Sequence, residues 1–268
     1  MGLALQVITG FVTAPSTTFT AWTLASGDSL TVKNTEVSRN VYLLNLWTDQ
    51  QTAGNLRIRS PKLHDMVQGI RVFSPASEVR PLLPWGVMQK LYPQDVLTVE
   101  QTGSGTSGDI ETGCLLVFYE DLPGQSARLF TWDQIRSKIV NIFPVENTLS
   151  LGTAGGYSGE EAINSEFDLG KANTDYALLG YLVSAECAMV GWRGVDTGNM
   201  RVGGPGNELE KELTREWFIT LSKMTGLPTI PVFNWSNKGG ILIDGVQDEN
   251  GTDTTVTSIF AELRYESG

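Results

Sequence analysis

The chain has 268 residues, 41% of them hydrophobic and 18% charged, with a formal net charge of −11 at pH 7. That length favours two domains, and the apolar share supports ordinary cores while the charge is too low for a disordered chain. Residues 1–130 carry 11 acids against 9 bases and residues 131–268 carry 19 against 10, so direct wrapping of nucleic acid, which needs a basic face, is excluded. The 29 glycines, with Thr and Val recurring throughout, favour a turn-rich β protein.

From the amino end, Met1 to Val12 is mildly apolar but lacks the basic start and cleavage site of a signal peptide. Gln6 stands where a myristoylation motif needs Ser or Thr. No run reaches the ~18 apolar residues of a membrane span. Residues 1–16 precede the first strand word. Short strand words separated by turns follow: Phe19 to Leu24, Ser29 to Lys33, Val41 to Trp47, Leu56 to Arg59, Val87 to Tyr92, Val96 to Gln101 and Cys114 to Glu120. The Gly/Ser/Thr stretch Thr102 to Asp109 is a loop joining the last two. Ser60 and Pro61 open a predicted helix, with Leu63, Met66, Val67 and Ile70 along one face.

Thr131 and Gln134 are spaced as a capping box, Ile135, Ile139 and Ile142 share a face, and Pro144 ends the segment. This predicts a linker helix within 131–147. In the second half the strand words are Tyr176 to Val183, Cys187 to Trp192, Met200 to Val202, Thr229 to Asn234, Ile241 to Val246 and Val256 to Tyr265. A helix is predicted from Asn207, paired with Glu210 as its cap, to Gly226 and Pro228, with Leu209, Leu213, Trp217, Leu221 and Met224 on its apolar face.

The two halves resemble one another. Asn55–Pro61 matches Asn199–Pro205, Leu83-Pro84 matches Ile230-Pro231, and Tyr119-Glu120 matches Tyr265-Glu266, at offsets of 144 to 147. Val41–Leu44 matches Tyr176–Leu179 at about 135, which predicts a loop of roughly nine residues inserted in the second half between those anchors. The expected organisation is an arm at 1–16, a first β-sandwich at 17–130, a linker helix at 131–147 and a second β-sandwich at 148–268.

Catalytic residues are scarce. The one histidine, His64, follows no nucleophile motif and reads as structural. Metal-dependent tandem barrels need several His ligands per site, so no metal is expected. The Gly-rich stretches do not lead from a strand into a helix, so no phosphate loop and no nucleotide cofactor is expected. Asp248–Asp253 has the oxygen-rich look of a calcium loop but lacks the closing glutamate, and reads as a turn. Glu160-Glu161 reads as surface charge rather than as a glycosidase pair. Trp22, Trp47, Trp85, Trp192 and Trp235 mostly lie in strand words, where core packing outweighs sugar stacking. Cys114 and Cys187 sit in apolar runs and read as buried free thiols.

This organisation resembles the double jelly-roll major capsid proteins of tailless icosahedral viruses. The likeness rests on the repeated blocks Asn55–Pro61 and Asn199–Pro205, the helix after each, the Tyr-Glu endings and the linker helix at Thr131–Phe143. It covers about Thr17 to Glu266 and carries no residue signature, so no functional residue transfers. The resemblance implies an all-β chain of two tandem jelly rolls with no catalysis. It also implies a homotrimer of pseudo-hexameric outline that tiles with neighbouring capsomers into a virion shell. Other capsid or vertex proteins are possible partners, with nucleic acid not contacted directly. A carbohydrate-binding or adhesive β-sandwich protein is the alternative.

Overall fold

The computed structural model describes residues 2–34, 36, 39–63, 66–76, 78–152, 154–163, 173–209, 211–247 and 253–264. The first half contains β1 (Ala4–Thr13), β2 (Thr20–Ala21), β3 (Thr23–Leu24), β4 (Val41–Asp49), β5 (Gly54–Arg59), β6 (Ile70–Ser74), β7 (Gln89–Leu91), β8 (Thr98–Gln101) and β9 (Ile110–Tyr119). Then come β10 (Leu129–Phe130), α1 (Trp132–Ile135), β11 (Ile139–Leu149), β12 (Glu161–Ala162), β13 (Asp175–Val183), β14 (Cys187–Arg193), β15 (Val202–Gly206), α2 (Lys211–Arg215), α3 (Trp217–Thr225), β16 (Ile230–Asn234), β17 (Leu242–Val246) and β18 (Thr254–Leu263).

These strands make four antiparallel sheets, two per half. The first half has a front sheet, β3-β1-β9-β4-β7, and a back sheet, β2-β8-β5-β6. The second has a front sheet, β10-β16-β13-β18-β11, and a back sheet, β12-β17-β14-β15. With the short strands β3 and β10 set aside, the strand orders are the same. The register carries the likeness to single residues. A bulge at Leu44 interrupts the β4–β9 ladder, and one at Leu179 interrupts β13–β18. Taking these two as equivalent pairs Val117 with Phe260; in the back sheets, matching the acids Glu100 and Asp244 pairs Arg57 with Gly191.

The structure thus finds a duplicated all-β architecture, but moves several sequence landmarks. Asn55 lies on β5, whereas Asn199 lies in the connection before β15, so these blocks are not equivalent; the counterpart of β5 is β14. Tyr265-Glu266 lies outside the described residues, and the ladder places Tyr119 opposite Glu262 in the repeat. The extra length falls between β15 and β16, where α2 and α3 replace the irregular connection 75–88 of the first half.

Residues 4–13 are not an arm. All ten pair with β9 in the first front sheet, and nearly all are buried. The helix expected after Pro61 is absent among the described residues. Ser60 Oγ instead accepts from the N–H groups of Lys62 and Leu63, Gly69 turns the chain at φ 62, and β6 follows. The linker helix is one α turn followed by one 3-10 turn, Arg136–Lys138. Its capping box at Thr131 and Gln134 forms as read, but β-branched Ile139, Val140, Ile142 and Val145 continue as β11. That strand pairs only with β18, and at a sheet edge Pro144 is tolerated.

The helix after Asn207 forms as two pieces, broken at Glu216; Glu210 lies outside the described residues. Trp217 and Leu221 are buried, while Leu209 and Met224 are exposed. Gly226, at φ 72, caps α3 by donating its N–H to the Ser222 carbonyl. Gly180 admits the helices against β13, since a Cβ there would lie 2.2 Å from the Arg215 carbonyl oxygen.

One apolar core lies between the two sheets of the first half, including Ile8, Leu43, Ile58, Leu115 and Val117. A second, larger core fills the second sandwich and runs on to the opposite face of the first front sheet, taking in Leu5, Val7, Trp47, Leu116 and Phe118. The first front sheet is therefore covered on both faces, and the four sheets stack back, front, back, front. Trp217 bridges the halves: its ring centroid lies 5.8 Å from Trp47 and 5.4 Å from Trp85, both edge-on. Its indole N–H donates to the Gly203 carbonyl at 3.0 Å. Trp217→Ala should cost about 3–5 kcal/mol in urea denaturation, as for a fully buried aromatic. Because the core is continuous, both halves should unfold in one transition. A loss well under ~1 kcal/mol, or two separate transitions, would contradict the shared core.

Candidate functional site

The seam between the first front sheet and the second back sheet is the most chemically elaborated surface of the molecule. Its middle is apolar. Trp47 donates its indole N–H to the Ala188 carbonyl at 2.8 Å, and the Cys114 thiol lies 3.9 Å from the same oxygen. Both cysteines are free and buried in this region, and burial pushes the Cys114 thiol well above its ordinary pKa. The backbone joins in, with Val7 N–H donating to the Arg201 carbonyl at 2.9 Å.

Towards one end the seam turns polar. Asp28, from the first half, accepts from Thr9 N–H at 2.7 Å and from the Tyr157 hydroxyl at 2.5 Å. The Arg201 guanidinium lies 3.7 Å from the centre of the Tyr157 ring and donates to Asp244 at 2.6 Å. Glu160 pairs with Arg193 and lies 3.6 Å from Arg201. Beside this cluster Lys33 donates to Gln6 at 2.8 Å. A cleft of about 560 Å³ opens here, lined by Gln6, Asp28, Lys33, Arg193, Asn199 and Arg201 among others.

Burial raises the Asp28 and Asp244 carboxyls above the usual range, against the pull of their hydrogen bonds and of Arg201. It also lowers Lys33 and raises Tyr157, the latter with help from the neighbouring Asp28 charge. Three cations face three carboxylates, so the cluster is close to neutral. It works as an internal staple: the Tyr157 hydroxyl crosses to Asp28 of the other half, while Arg201, Asp244, Glu160 and Arg193 pair within the second half, with Arg193 Nε and Asp244 Oδ1 lacking a hydrogen-bond partner among the described residues.

His64 lies outside the described residues, as do positions 248–252 of the acidic loop; its last residue, Asp253, accepts from Ser150 Oγ at 3.4 Å. No group of three metal-ligating side chains occurs among the described residues. No described helix is long and apolar enough to cross a membrane. Trp22, Trp47 and Trp192 are buried, and each donates its N–H to a protein acceptor; the Trp235 side chain lies outside the described residues. Glu160 and Glu161 are both exposed as expected, and Glu160 also pairs with Arg193 at the rim of the seam.

Sequence reading missed the staple. Tyr157 was hidden in the Gly-Tyr-Ser-Gly loop word, and Asp28 in a Ser-Gly-Asp turn. The one available signal was Asp244, a lone acid inside the apolar run Ile241–Val246. A buried charge in a strand needs a partner.

No family model matches the sequence, and no curated protein does so. Two solved structures align along nearly all of the chain. The PBSX exported protein XepA is 10% identical, with 96% of this chain and 86% of that one covered and a TM-score of 0.29. The STIV MCP, a viral major capsid protein, is 9% identical, with 96% and 97% covered and a TM-score of 0.21. Likenesses that low assign no function.

The staple has a pH signature. Burial lifts the Asp28 carboxyl above its ordinary value in the folded chain, so between the unfolded and the folded pKa the folded state holds the extra proton. Its contribution therefore favours folding at low pH and is lost as pH rises through that window. Asp28→Asn keeps an acceptor for Thr9 and Tyr157 without the charge. Denaturant titrations stepped upward from pH 3.8 should show a flatter decline in stability for the variant than for the natural chain. Equal slopes would place Asp28 in solvent.

Proposed function

We propose that this chain is a structural shell protein, the major capsid protein of a tailless icosahedral virus, which assembles as a homotrimer in the virion. The supporting observation is the duplication: two sandwiches of one topology held side by side at a fixed angle by a continuous core. Numbering the eight principal strands of each half in order, the front sheet reads 1-8-3-6 and the back sheet 2-7-4-5. This supports a jelly roll in each half. Three such chains present six similar sandwiches around a threefold axis, a near-hexagonal tile, and hexagonal tiles cover a flat facet.

The seam supports the same reading. Its buried polar groups are spent on holding the halves together, which is what a building block under mechanical load requires. The described residues bring together no nucleophile, base and oxyanion donors of the kind a hydrolase needs. The acidic balance fits a shell whose inner surface meets protein or lipid rather than nucleic acid. Neighbouring capsomers are the principal partners.

Size-exclusion chromatography with multi-angle light scattering should give a trimer across a tenfold concentration range. Negative-stain microscopy should show pseudo-hexagonal particles of that mass. The trimer should bury well over the ~1,000 Å² per contact that a specific interface needs. A monomer at every concentration, with saturable glycan binding, would replace this reading with that of a carbohydrate-binding module.

A further inference from the structure

The stack of sheets leaves two outer faces open, the first back sheet at one end and the second front sheet at the other. Inside the chain the contact between sandwiches is head to tail, with a front sheet received by a back sheet. The duplication lets each open face be compared, position by position, with the equivalent face already buried in the seam.

The open back sheet repeats the seam's charged constellation. In the seam, Asp244 on β17 draws in Arg193 and Arg201, and Arg201 lies over Tyr157 from the connection entering β12. On the open face the equivalent carboxylate, Glu100 on β8, takes Arg57 at 2.9 Å and Arg59 at 2.7 Å. The Arg57 guanidinium lies 3.9 Å over Phe19, just before β2, and Arg71 lies 5.2 Å from the same ring. With Glu100 matched to Asp244, the β5–β8 and β14–β17 registers put Arg59 at the position of Arg193. Three arginines against one carboxylate leave this face basic. Apolar side chains stand among them: Phe73 is 64% exposed, and Met66 and Val67, beside Arg59 and Arg57, are 59% and 68% exposed.

The open front sheet repeats the other side of the seam. The β1–β9 and β11–β18 registers place Ile142, Pro144 and Ile259 where the seam has Leu5, Val7 and Leu116. Ile142 is 57% exposed, whereas Leu5 is fully buried. Leu182 stands at the position of Trp47. Glu146 stands at the position of Thr9, whose N–H carries the Asp28 carboxylate in the seam. An acid therefore lies at the place where the seam presents an acid to the arginine cluster.

We propose that the first back sheet, through Arg57, Arg59, Arg71 and Phe73, docks a second copy of this chain by its β11–β18 face, through Ile142, Pro144, Glu146 and Ile259. The contact repeats between chains the head-to-tail packing that the seam makes within one. It rests on the self-assembly reading and names the surfaces that reading uses. A heterologous contact of this kind closes into a ring when its rotation divides a full turn, and the basic-to-acidic pairing sets which faces meet.

The test uses the full chain. Phe73→Asp and Ile142→Asp, both at exposed positions, should each weaken assembly at least tenfold in light scattering and leave the thermal midpoint unchanged. Val195→Asp, at an exposed position in the connection before β15, should assemble normally. An equimolar mixture of Phe73→Cys and Ile142→Cys chains should form disulfide-linked pairs under mild oxidation, and neither variant should do so alone. Normal assembly of both Asp variants, without mixed crosslinks, would overturn these docking surfaces while leaving self-assembly standing. Crosslinks within a single variant would replace head-to-tail docking with a symmetric contact. A natural chain that stays monomeric would remove both the docking and the shell reading.

Discussion

The first front sheet is buried on both faces, and the rest of the molecule follows from that. An ordinary sandwich sheet alternates between core and solvent. Here β1, β4 and β9 have little solvent side: their outward residues, Leu5, Val7, Trp47, Leu116 and Phe118, enter the core of the other half. The first sandwich alone would expose a wide apolar surface, and the second would lose the partners of Met189 and Trp217. Neither half is an independent unit, so their mutual angle is as fixed as any packing inside a domain.

An apolar seam would give adhesion but little preference among nearby orientations. The polar end supplies that preference. Arg201 reaches Asp244, Glu160 and the Tyr157 ring together, and Tyr157 in turn holds Asp28 from the other half. Sliding the sheets by one residue would strand these groups in a poorly solvated place, at a cost of several kcal/mol for an uncompensated charge. Burial raises the Asp28 carboxyl, and the hydrogen bonds from Tyr157 and Thr9 and the Arg201 charge pull against that rise.

The central strands of both halves were legible because they are short, β-branched and bounded by turn residues, as Val41–Asp49, Cys187–Arg193 and Ile230–Asn234 show. The segments that misled are those whose burial pattern departs from alternation. The 4–13 strand reads as an undistinguished apolar arm because both its faces are buried. Ahead of and into the 139–149 strand, Ile135, Ile139 and Ile142 happen to fall at helical spacing. The duplication was legible from the Leu-Leu pairs of β4 and β13, Leu43-Leu44 and Leu178-Leu179, which do share a bulge. The Asn-x-Arg words did not hold, because hydrogen-bonded strands of one topology need no common sequence. The staple was the least legible part, since its residues come from four separate loops and strands and meet only through the fold.

The two halves have diverged in a way that suits a building block. On the outward face of the seam's back sheet, Gly191 and Gly203 stand where the open back sheet has Arg57 and Arg71. A Cβ at Gly203 would lie 2.1 Å from the Val190 carbonyl oxygen of its own sheet, so the seam presents backbone where the open sheet presents long side chains. Arginines hold a neighbour farther off, keep an unassembled chain soluble and retain water at the contact. If the chain docks copies as proposed, the same topology offers one tight contact inside the chain and one wetter, weaker contact at its end. Assembly into a shell would benefit from that difference, because units that can separate correct misplaced contacts.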